Sequence, residues 1–281
     1  MKIIFSPKCL EYSKPNQPEN PERVEKAWSF LKNRYEFIEP RPATKEDLLK
    51  VHSKVYIENF EKGNFKGDIE SPTYPNIYEY ARLSAGAAII AAKENGFSLM
   101  RPPGHHAGIN GKTTDASSLG FCYFNNMAIA VRSLGLPALI IDIDDHHGNG
   151  TQEIFLGDRK VTFISLHRRG IYPGTGYKSK ENCYNYPLPT STDDKLYVQV
   201  LGEALKKIDL SKIKIVGISA GFDTYEQDQL TPMKLTMNAY FEIGKLVKSL
   251  CLPVFAVLEG GYGSHLGMAI HNLIKGLNSN A

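Results

Sequence analysis

The chain has 281 residues, 42% of them hydrophobic and 22% charged, so it is long enough to bury a large core without disulfides or structural metals. Its 33 basic and 30 acidic residues nearly balance, which argues against direct nucleic-acid binding. No apolar run approaches the roughly 20 residues that a membrane helix requires, so we expect no membrane partner.

The first residues and the cysteines indicate a compartment. The apolar stretch that follows Lys2 is short and is soon interrupted by Lys8, unlike a signal peptide. The four cysteines are scattered and form no CxxC pair, which is typical of buried thiols in a reducing compartment. They are Cys9, Cys122, Cys183 and Cys251. We therefore expect a cytoplasmic protein.

Two helix starts are readable near the amino terminus. Asn20-Pro21 is typical of an N-cap followed by proline at the first helical position. Thr44, three residues before Asp47, resembles the start of a capping box. Both patterns predict helices ahead of the larger elements of the fold.

From about residue 76 onward, short apolar runs alternate with segments of helical period. The predicted strands are 98–100, 138–143, 161–166, 213–219 and 254–258, and the predicted helices are 77–94, 124–134, 194–208, 232–249 and 264–277. Several runs are apolar almost throughout, as in strands covered on both faces of a parallel sheet. The alternation predicts an α/β fold, a mostly parallel sheet with helices on both faces. No linker or repeat interrupts it, so we expect one domain over residues 1–281.

Polar side chains follow four of the predicted strands. The segments 101–106, 142–148, 219–223 and 259–262 each begin where an apolar run ends. Ligands of open α/β sheets bind outside the carboxyl ends of the strands. The sequence therefore predicts an active site at that edge of the sheet.

Asp144 and His146 are two residues apart, so in an extended chain both point to the same side and could share one metal ion. Asp223 is the only carboxylate at the exit of its strand and is the natural third ligand. Three protein ligands and an open position are the catalytic arrangement of zinc, although this set would also accept Fe(II). A surface turn is the alternative for an Asp-x-His pair alone. The crowding of charge after one apolar strand favours a cation instead.

Two further features are consistent with catalysis. His105-His106 follows Pro-Pro-Gly, where an irregular backbone would let both rings face one cavity. A neutral imidazole there could act as a general base, although ordinary loop histidines are the alternative. Tyr262, on a Gly-Gly turn, could donate to an oxyanion, although a single tyrosine is more often a packing residue.

Seven segments, in order along nearly the whole chain, resemble the histone deacetylase family, which includes bacterial and archaeal acetylpolyamine and acetoin-utilisation relatives. They are 20–24, 101–107, 120–126, 142–152, 165–167, 219–223 and 258–262. The resemblance implies an arginase/deacetylase-like fold and the hydrolysis of an acetylated amine to a free amine and acetate.

The resemblance also implies roles for individual residues. His106 would be the general base and later the general acid, with His105 as its electrostatic partner. Asp142 would hold His105 through its second ring nitrogen. Tyr262 would stabilise the tetrahedral oxyanion. The implied zinc ligands are Asp144, His146 and Asp223.

The implied substrate channel is narrow and aromatic. Phe121 and Tyr172 resemble its two walls, and Gly120 and Leu230 would also line it. The family often has phenylalanine where Tyr172 stands, so one wall is more polar here. Relatives that prefer polyamines carry a glutamate where this chain has Leu230, which argues mildly against a dedicated polyamine enzyme.

Three more expectations follow from the resemblance. The partner of His106 would be Asn149, which stabilises an imidazolium less than a carboxylate would and so favours the base role. Either Glu70 or Asp68 would be the acid at the channel rim. A monovalent cation, K⁺ or Na⁺, would bind beside the zinc at Asp142, Asp144, His146, Ser165 and Leu166.

The sequence therefore predicts a zinc-dependent deacetylase that acts on acetyl-lysine or a related acetylated amine. An acetylpolyamine amidohydrolase is an alternative. A binuclear hydrolase of guanidino or ureido compounds would need further carboxylates near Asp223. A non-catalytic acetyl-lysine reader would need neither the His105-His106 pair nor Tyr262.

Overall fold

An eight-stranded parallel sheet organises the chain, of which the computed structural model describes residues 1–230 and 233–279. Its strands are β1 (Ile3–Ile4), β2 (Phe37–Ile38), β3 (Phe97–Ser98), β6 (Ala138–Asp142), β7 (Val161–Arg168), β8 (Cys183–Leu188), β9 (Ile215–Ala220) and β10 (Val254–Leu258). Their order is β2-β1-β3-β10-β9-β6-β7-β8, and every neighbouring pair is parallel. A separate antiparallel hairpin contains β4 (Ala107–Gly108) and β5 (Gly111–Lys112).

Helices connect these strands. They are α1 (Pro21–Leu31), α2 (Lys45–Leu49), α3 (Lys54–Glu61), α4 (Ile77–Glu94), α5 (Asn126–Leu134), α6 (Asn149–Phe155), α7 (Asp194–Lys206), α8 (Met237–Lys248) and α9 (Leu266–Leu277), with short 3-10 helices at Pro7–Leu10 and Leu210–Lys212. Among the residues described, none of these helices is long and apolar enough to cross a membrane.

The central strands are buried on both faces. Every residue of β6 and β9 is buried, and successive side chains of a strand point to opposite faces. Helices therefore cover both sides, with α4 packed on α5 in one group and α7, α8, α9 and α1 packed in sequence in another. This arrangement confirms the predicted mostly parallel sheet with helices on both faces. A single domain over 1–281 stays a prediction.

The predicted elements are present, with boundaries that differ by a few residues. Helix 77–94 and strand 254–258 coincide with α4 and β10. α5 begins at Asn126 rather than at 124, because the Asn125 side chain caps its first turn by accepting from the Ala128 N–H. α8 begins at Met237 after the Thr236 N-cap, and residue 232, where we expected its start, lies outside the described residues.

The helix starts near the amino terminus are also present. Thr44 forms a full capping box with Asp47. Asn20 is the N-cap residue of α1 and Pro21 is the first helical residue, as predicted. The Asn20 side chain makes no capping hydrogen bond, and its amide donates to the Gln17 and Pro18 carbonyls instead.

The sequence prediction missed the edges of the sheet and misplaced one cysteine. β8 lies at one edge, and its alternating burial and the presence of Pro187 hid it from a search for continuous apolar runs. Cys9, Cys122 and Cys183 are buried free thiols as expected. Cys251 is exposed, contrary to the prediction, since it follows the last turn of α8 at the protein surface.

A buried ion network anchors the loop that leaves β3. Arg101 is fully buried, and its guanidinium donates to both carboxylate oxygens of Glu19 at 2.7 and 2.8 Å. The same group donates to the Cys9 and Tyr12 carbonyls and stacks 3.8 Å from the Tyr12 ring centroid. Glu19 also accepts from Arg23 at 3.3 Å. One carboxylate therefore compensates two buried guanidinium groups.

We expect Glu19→Gln to lower the free energy of unfolding by about 3–5 kcal/mol, because it leaves Arg101 and Arg23 buried without their counter-charge. Denaturant titration of the two proteins measures the difference. Glu22→Gln is the control, since its pair with Lys26 is exposed and should leave the unfolding curve nearly unchanged. Equal effects in both variants would contradict the role of Glu19 as the counter-charge of Arg101 and Arg23.

Candidate active site

A cavity of about 340 Å³ opens at the carboxyl ends of the central strands. It brings together eight of the predicted site residues, which come from six separate segments of the chain. They are His105, His106, Gly120, Phe121, His146, Tyr172, Leu230 and Tyr262. The predicted position of the site at this edge of the sheet therefore agrees with the geometry.

The three predicted metal ligands converge beside this cavity. The ligand atoms of Asp144, His146 and Asp223 all lie within 4.8 Å of one another. His146 Nδ1 lies 3.0 Å from Asp144 Oδ1 and 3.0 Å from Asp223 Oδ2. Both carboxylates are buried, whereas the His146 side chain is 16% exposed towards the cavity. Two carboxylate oxygens and one imidazole nitrogen thus lie close enough to share one ion, at a position next to the cavity.

The surroundings of these ligands fit a cation. Burial and the charge of Asp144 both raise the pKa of Asp223 even though His146 opposes the rise, so a further positive charge beside these carboxylates would be stabilising. A Cβ atom on Gly260 would lie only 2.6 Å from Oδ2 of both aspartates, so this position has to be glycine. The Gly260 N–H instead donates to Asp144 Oδ2 at 2.8 Å. Carboxylate and imidazole donors at this spacing suit zinc and also Fe(II).

The two adjacent histidines lie side by side with their ring centroids 4.0 Å apart. His105 Nδ1 lies 3.0 Å from Asp142 Oδ2, and His106 Nδ1 lies 2.6 Å from Asn149 Oδ1. Both rings line the cavity. The structure therefore contains both predicted pairs, His105 with Asp142 and His106 with Asn149.

Asn149 determines which nitrogen of His106 carries the proton. Its amide nitrogen donates to Thr113 Oγ1 at 2.7 Å, and its carbonyl oxygen faces His106. A carbonyl oxygen can only accept, so His106 must carry a proton on Nδ1. In the neutral ring, Nε2 is then the basic nitrogen.

The two histidines have opposite electrostatic surroundings. Burial lowers the pKa of His105, but the carboxylates of Asp144 and Asp142 outweigh it and raise the pKa to about 10. For His106, burial and the positive charges of His105 and His146 act together and lower the pKa well below its ordinary value. His105 is therefore the charged member of the pair and His106 the neutral one.

Tyr262 follows a turn whose main chain is held on several sides. Arg23 Nε donates to the Gly261 carbonyl at 2.7 Å, and the Arg23 guanidinium lies 4.9 Å from the Tyr262 ring centroid. The ring itself lines the cavity and packs edge-on against Phe121. This places the tyrosine on the cavity wall beside Phe121.

Two aromatic side chains form the predicted channel walls. Tyr172 lies edge-on to His106 with centroids 4.9 Å apart, and its hydroxyl donates to the Ser118 carbonyl. Phe121 has a φ of +66°, a strained value for a bulky residue, and such values are concentrated at functional sites. A Cβ atom on Gly120 would lie 2.4 Å from His106 Cδ2, so the absence of a side chain lets the wall approach the ring.

At the mouth of the cavity, the two candidate rim acids differ. Glu70 lines the cavity and its carboxylate accepts from the Ser118 hydroxyl. Asp68 accepts instead from the main-chain N–H groups of Glu70, Ser71 and Leu119, so it organises the loop. Leu230 is 40% exposed at the same mouth.

The residues expected to bind a monovalent cation lie next to the metal ligands. Asp142 of β6 stands opposite Ser165 of β7 in the sheet, and Leu166 follows on the same strand. Ser165 Oγ lies 2.9 Å from His167 Nδ1. The cation itself stays a prediction.

Sequence reasoning gave no role to Glu259, which follows β10. Its carboxylate accepts from the main-chain N–H groups of Gly104 at 2.7 Å and His105 at 3.1 Å, and from the Ser219 hydroxyl. It therefore fixes the turn that carries both histidines. The sequence feature that could have identified Glu259 is a carboxylate directly after a buried strand. Other lining residues come from amino-terminal loops and carried no such signal, namely Gln17, Pro18 and Ile69.

Comparisons with known proteins agree with this geometry. A family model of the histone deacetylase domain matches residues 17–277. A probable deacetylase of Archaeoglobus fulgidus is 35% identical over 96% of this chain and 84% of its own length. The acetylpolyamine amidohydrolase of Mycoplana ramosa is 34% identical over 76% of this chain and 67% of its own length.

A solved structure gives the same result in three dimensions. The HDA15 HD domain superimposes with a TM-score of 0.86 and 31% identity, covering 98% of this chain and 87% of that chain. The chain therefore belongs to the histone deacetylase family and has its arginase/deacetylase-like α/β fold.

Proposed function

We propose that the chain is a zinc-dependent deacetylase that hydrolyses the acetyl amide of acetyl-lysine, or of a related amine, to the free amine and acetate. One observation carries the proposal. A three-ligand cluster, a histidine pair with distinct partners and a tyrosine converge on one cavity between aromatic walls. A reader of acetyl-lysine would need only the walls.

Asp144, His146 and Asp223 would hold the zinc. When bound, zinc supplies Lewis-acid chemistry, which polarises a carbonyl and makes a water molecule more acidic. Fe(II) is the alternative ion for this ligand set in the cell. K⁺ or Na⁺ at Asp142 and Ser165 would offset part of the carboxylate charge.

The protein's own groups would move the protons. His106 Nε2 accepts a proton as water attacks the acetyl carbon, because Nδ1 is committed to Asn149. The same nitrogen then gives that proton to the leaving amine as the C–N bond breaks. His105, held by Asp142, keeps positive charge beside the reaction, and the Tyr262 hydroxyl donates to the oxyanion.

Acetyl-lysine is favoured over acetylpolyamines as the substrate class. Phe121 and Tyr172 suit an unbranched alkyl chain, and Leu230 offers no charge at the mouth for the distal ammonium group of a polyamine. The similarity to an acetylpolyamine amidohydrolase keeps the second class as an alternative. Comparing kcat/KM for acetyl-lysine peptides and acetylated polyamines separates them, and a higher value for the polyamines would overturn the preference.

A mononuclear centre is favoured over a binuclear one. Among the residues described, one group of three His, Cys, Asp or Glu side chains is placed to hold a metal. A ureohydrolase-type centre requires further carboxylate ligands. Cytoplasmic location is supported by the three buried free thiols, which suit a reducing compartment.

We expect His106→Ala to lower kcat by about 10²–10⁴-fold, because it removes the general base. Metal content measured by elemental analysis should stay near that of the wild type, since His106 is not among the three ligands. His271→Ala is the control, because His271 bonds to Tyr35 away from the cavity. Full activity in His106→Ala would remove this residue from the mechanism.

For Tyr262→Phe we expect kcat to fall by about 10²–10³-fold with little change in KM, since the donated hydrogen bond forms in the transition state. Steady-state kinetics on an acetyl-lysine peptide measures both constants. Tyr35→Phe removes a tyrosine hydroxyl elsewhere and should keep wild-type activity. An unchanged kcat in Tyr262→Phe would contradict the proposed oxyanion role of Tyr262.

Chelation should abolish turnover, and zinc should restore it, because the metal is held by only three protein ligands. Elemental analysis should give one catalytic metal per chain, and Asp223→Asn should lower both metal content and activity. Two catalytic metals per chain, or activity that survives complete metal removal, would contradict the mononuclear mechanism.

A further inference from the structure

Asp228 is a half-buried carboxylate to which the proposed chemistry gives no role. Its Oδ2 accepts from the main-chain N–H groups of Tyr262 at 2.6 Å and Gly263 at 3.2 Å. Its Oδ1 accepts from the N–H group of Leu230 at 3.0 Å. Three N–H donors on one carboxylate make charge-assisted hydrogen bonds, which are stronger than neutral ones.

These bonds join two parts of the active site that are distant in the chain. Tyr262 lines the cavity on one side and Leu230 lines its mouth, 32 residues earlier in the sequence. Asp144 and Arg23 fix the two preceding glycines of the turn. Asp228 holds the next two peptide groups, including the one that carries the tyrosine ring.

From this geometry we infer that Asp228 is a positioning residue for Tyr262, acting through its main chain, and that it links the tyrosine to the mouth segment at Leu230. The inference rests on the proposed oxyanion role of Tyr262. Its physical basis is that a donor displaced by about 1 Å can lose a hundredfold in rate. The direction of the Tyr262 ring depends on a peptide group that Asp228 holds.

Asp228→Asn tests the inference with almost no change in shape. The amide has one oxygen and one NH₂ group. The NH₂ group, a donor, must therefore face either the N–H groups of Tyr262 and Gly263 or the N–H group of Leu230, and those hydrogen bonds are lost. We expect kcat to fall about 10- to 100-fold with a smaller change in KM, since the loss lies in the transition state. Asp209→Asn is the matched control, because Asp209 accepts the N–H group two residues later in the same way but on an exposed turn.

A double-mutant cycle separates positioning from a general structural effect. If Asp228 acts through Tyr262, then Asp228→Asn in the Tyr262→Phe background should change kcat by less than about twofold. An equal loss in both backgrounds, or wild-type kcat in Asp228→Asn alone, would overturn the inference and leave the proposed function standing. An unchanged kcat in Tyr262→Phe would overturn both the inference and the proposed oxyanion role of Tyr262.

Thermal unfolding of each variant shows whether the fold is retained. If Asp228→Asn does not fold, the same cycle is run with Asp228→Ser, whose hydroxyl can rotate to accept a hydrogen bond. The same coupling with Tyr262→Phe is expected, and additive losses would again overturn the inference.

Discussion

Two buried carboxylates facing one imidazole nitrogen are the constraint on which the rest of the site depends. Asp144 and Asp223 stand at the ends of neighbouring strands, where the sheet keeps them close whether or not their charges repel. Buried like charges are tolerated only with a positive partner. The chain supplies His105 and His146, and the main-chain N–H groups of Asp145 and Gly260 bind the carboxylates directly. A bound cation would complete the same compensation.

The difference in charge between His105 and His106 follows from their hydrogen-bond partners, since the two side chains are chemically identical. An aspartate beside His105 keeps that ring charged, whereas an amide beside His106 fixes the tautomer without adding charge. The charged ring in turn disfavours a second proton on its neighbour, 4.0 Å away. One neutral ring with an available nitrogen and one fixed positive charge thus arise from a pair of identical residues.

The strand ends could be predicted from the sequence because the edge of a parallel sheet is set by local patterns. Asp144 and His146 were identified by spacing, and the family motifs added Asn149 as the partner of His106. The contacts of Glu259 and Asp228 could not be predicted, since each joins segments that only the folded chain brings together. The edge strand β8 was missed because it lacks the continuous apolar pattern of a buried strand. Cys251 was predicted to be buried from its residue type alone, whereas its position just after α8 places it at the surface.

At the mouth of the cavity, two aspartates each bind main-chain N–H groups from two segments of the chain. Asp68 accepts two N–H groups from its own loop through one oxygen and the Leu119 N–H group through the other. Asp228 likewise divides its oxygens between Leu230 and the turn at Tyr262. In each case a loop at the mouth is joined to a segment that leads to the inner cavity, either at Leu119, next to Gly120, or at the Tyr262 turn. A single carboxylate therefore couples the geometry of each mouth loop to that of the inner cavity wall.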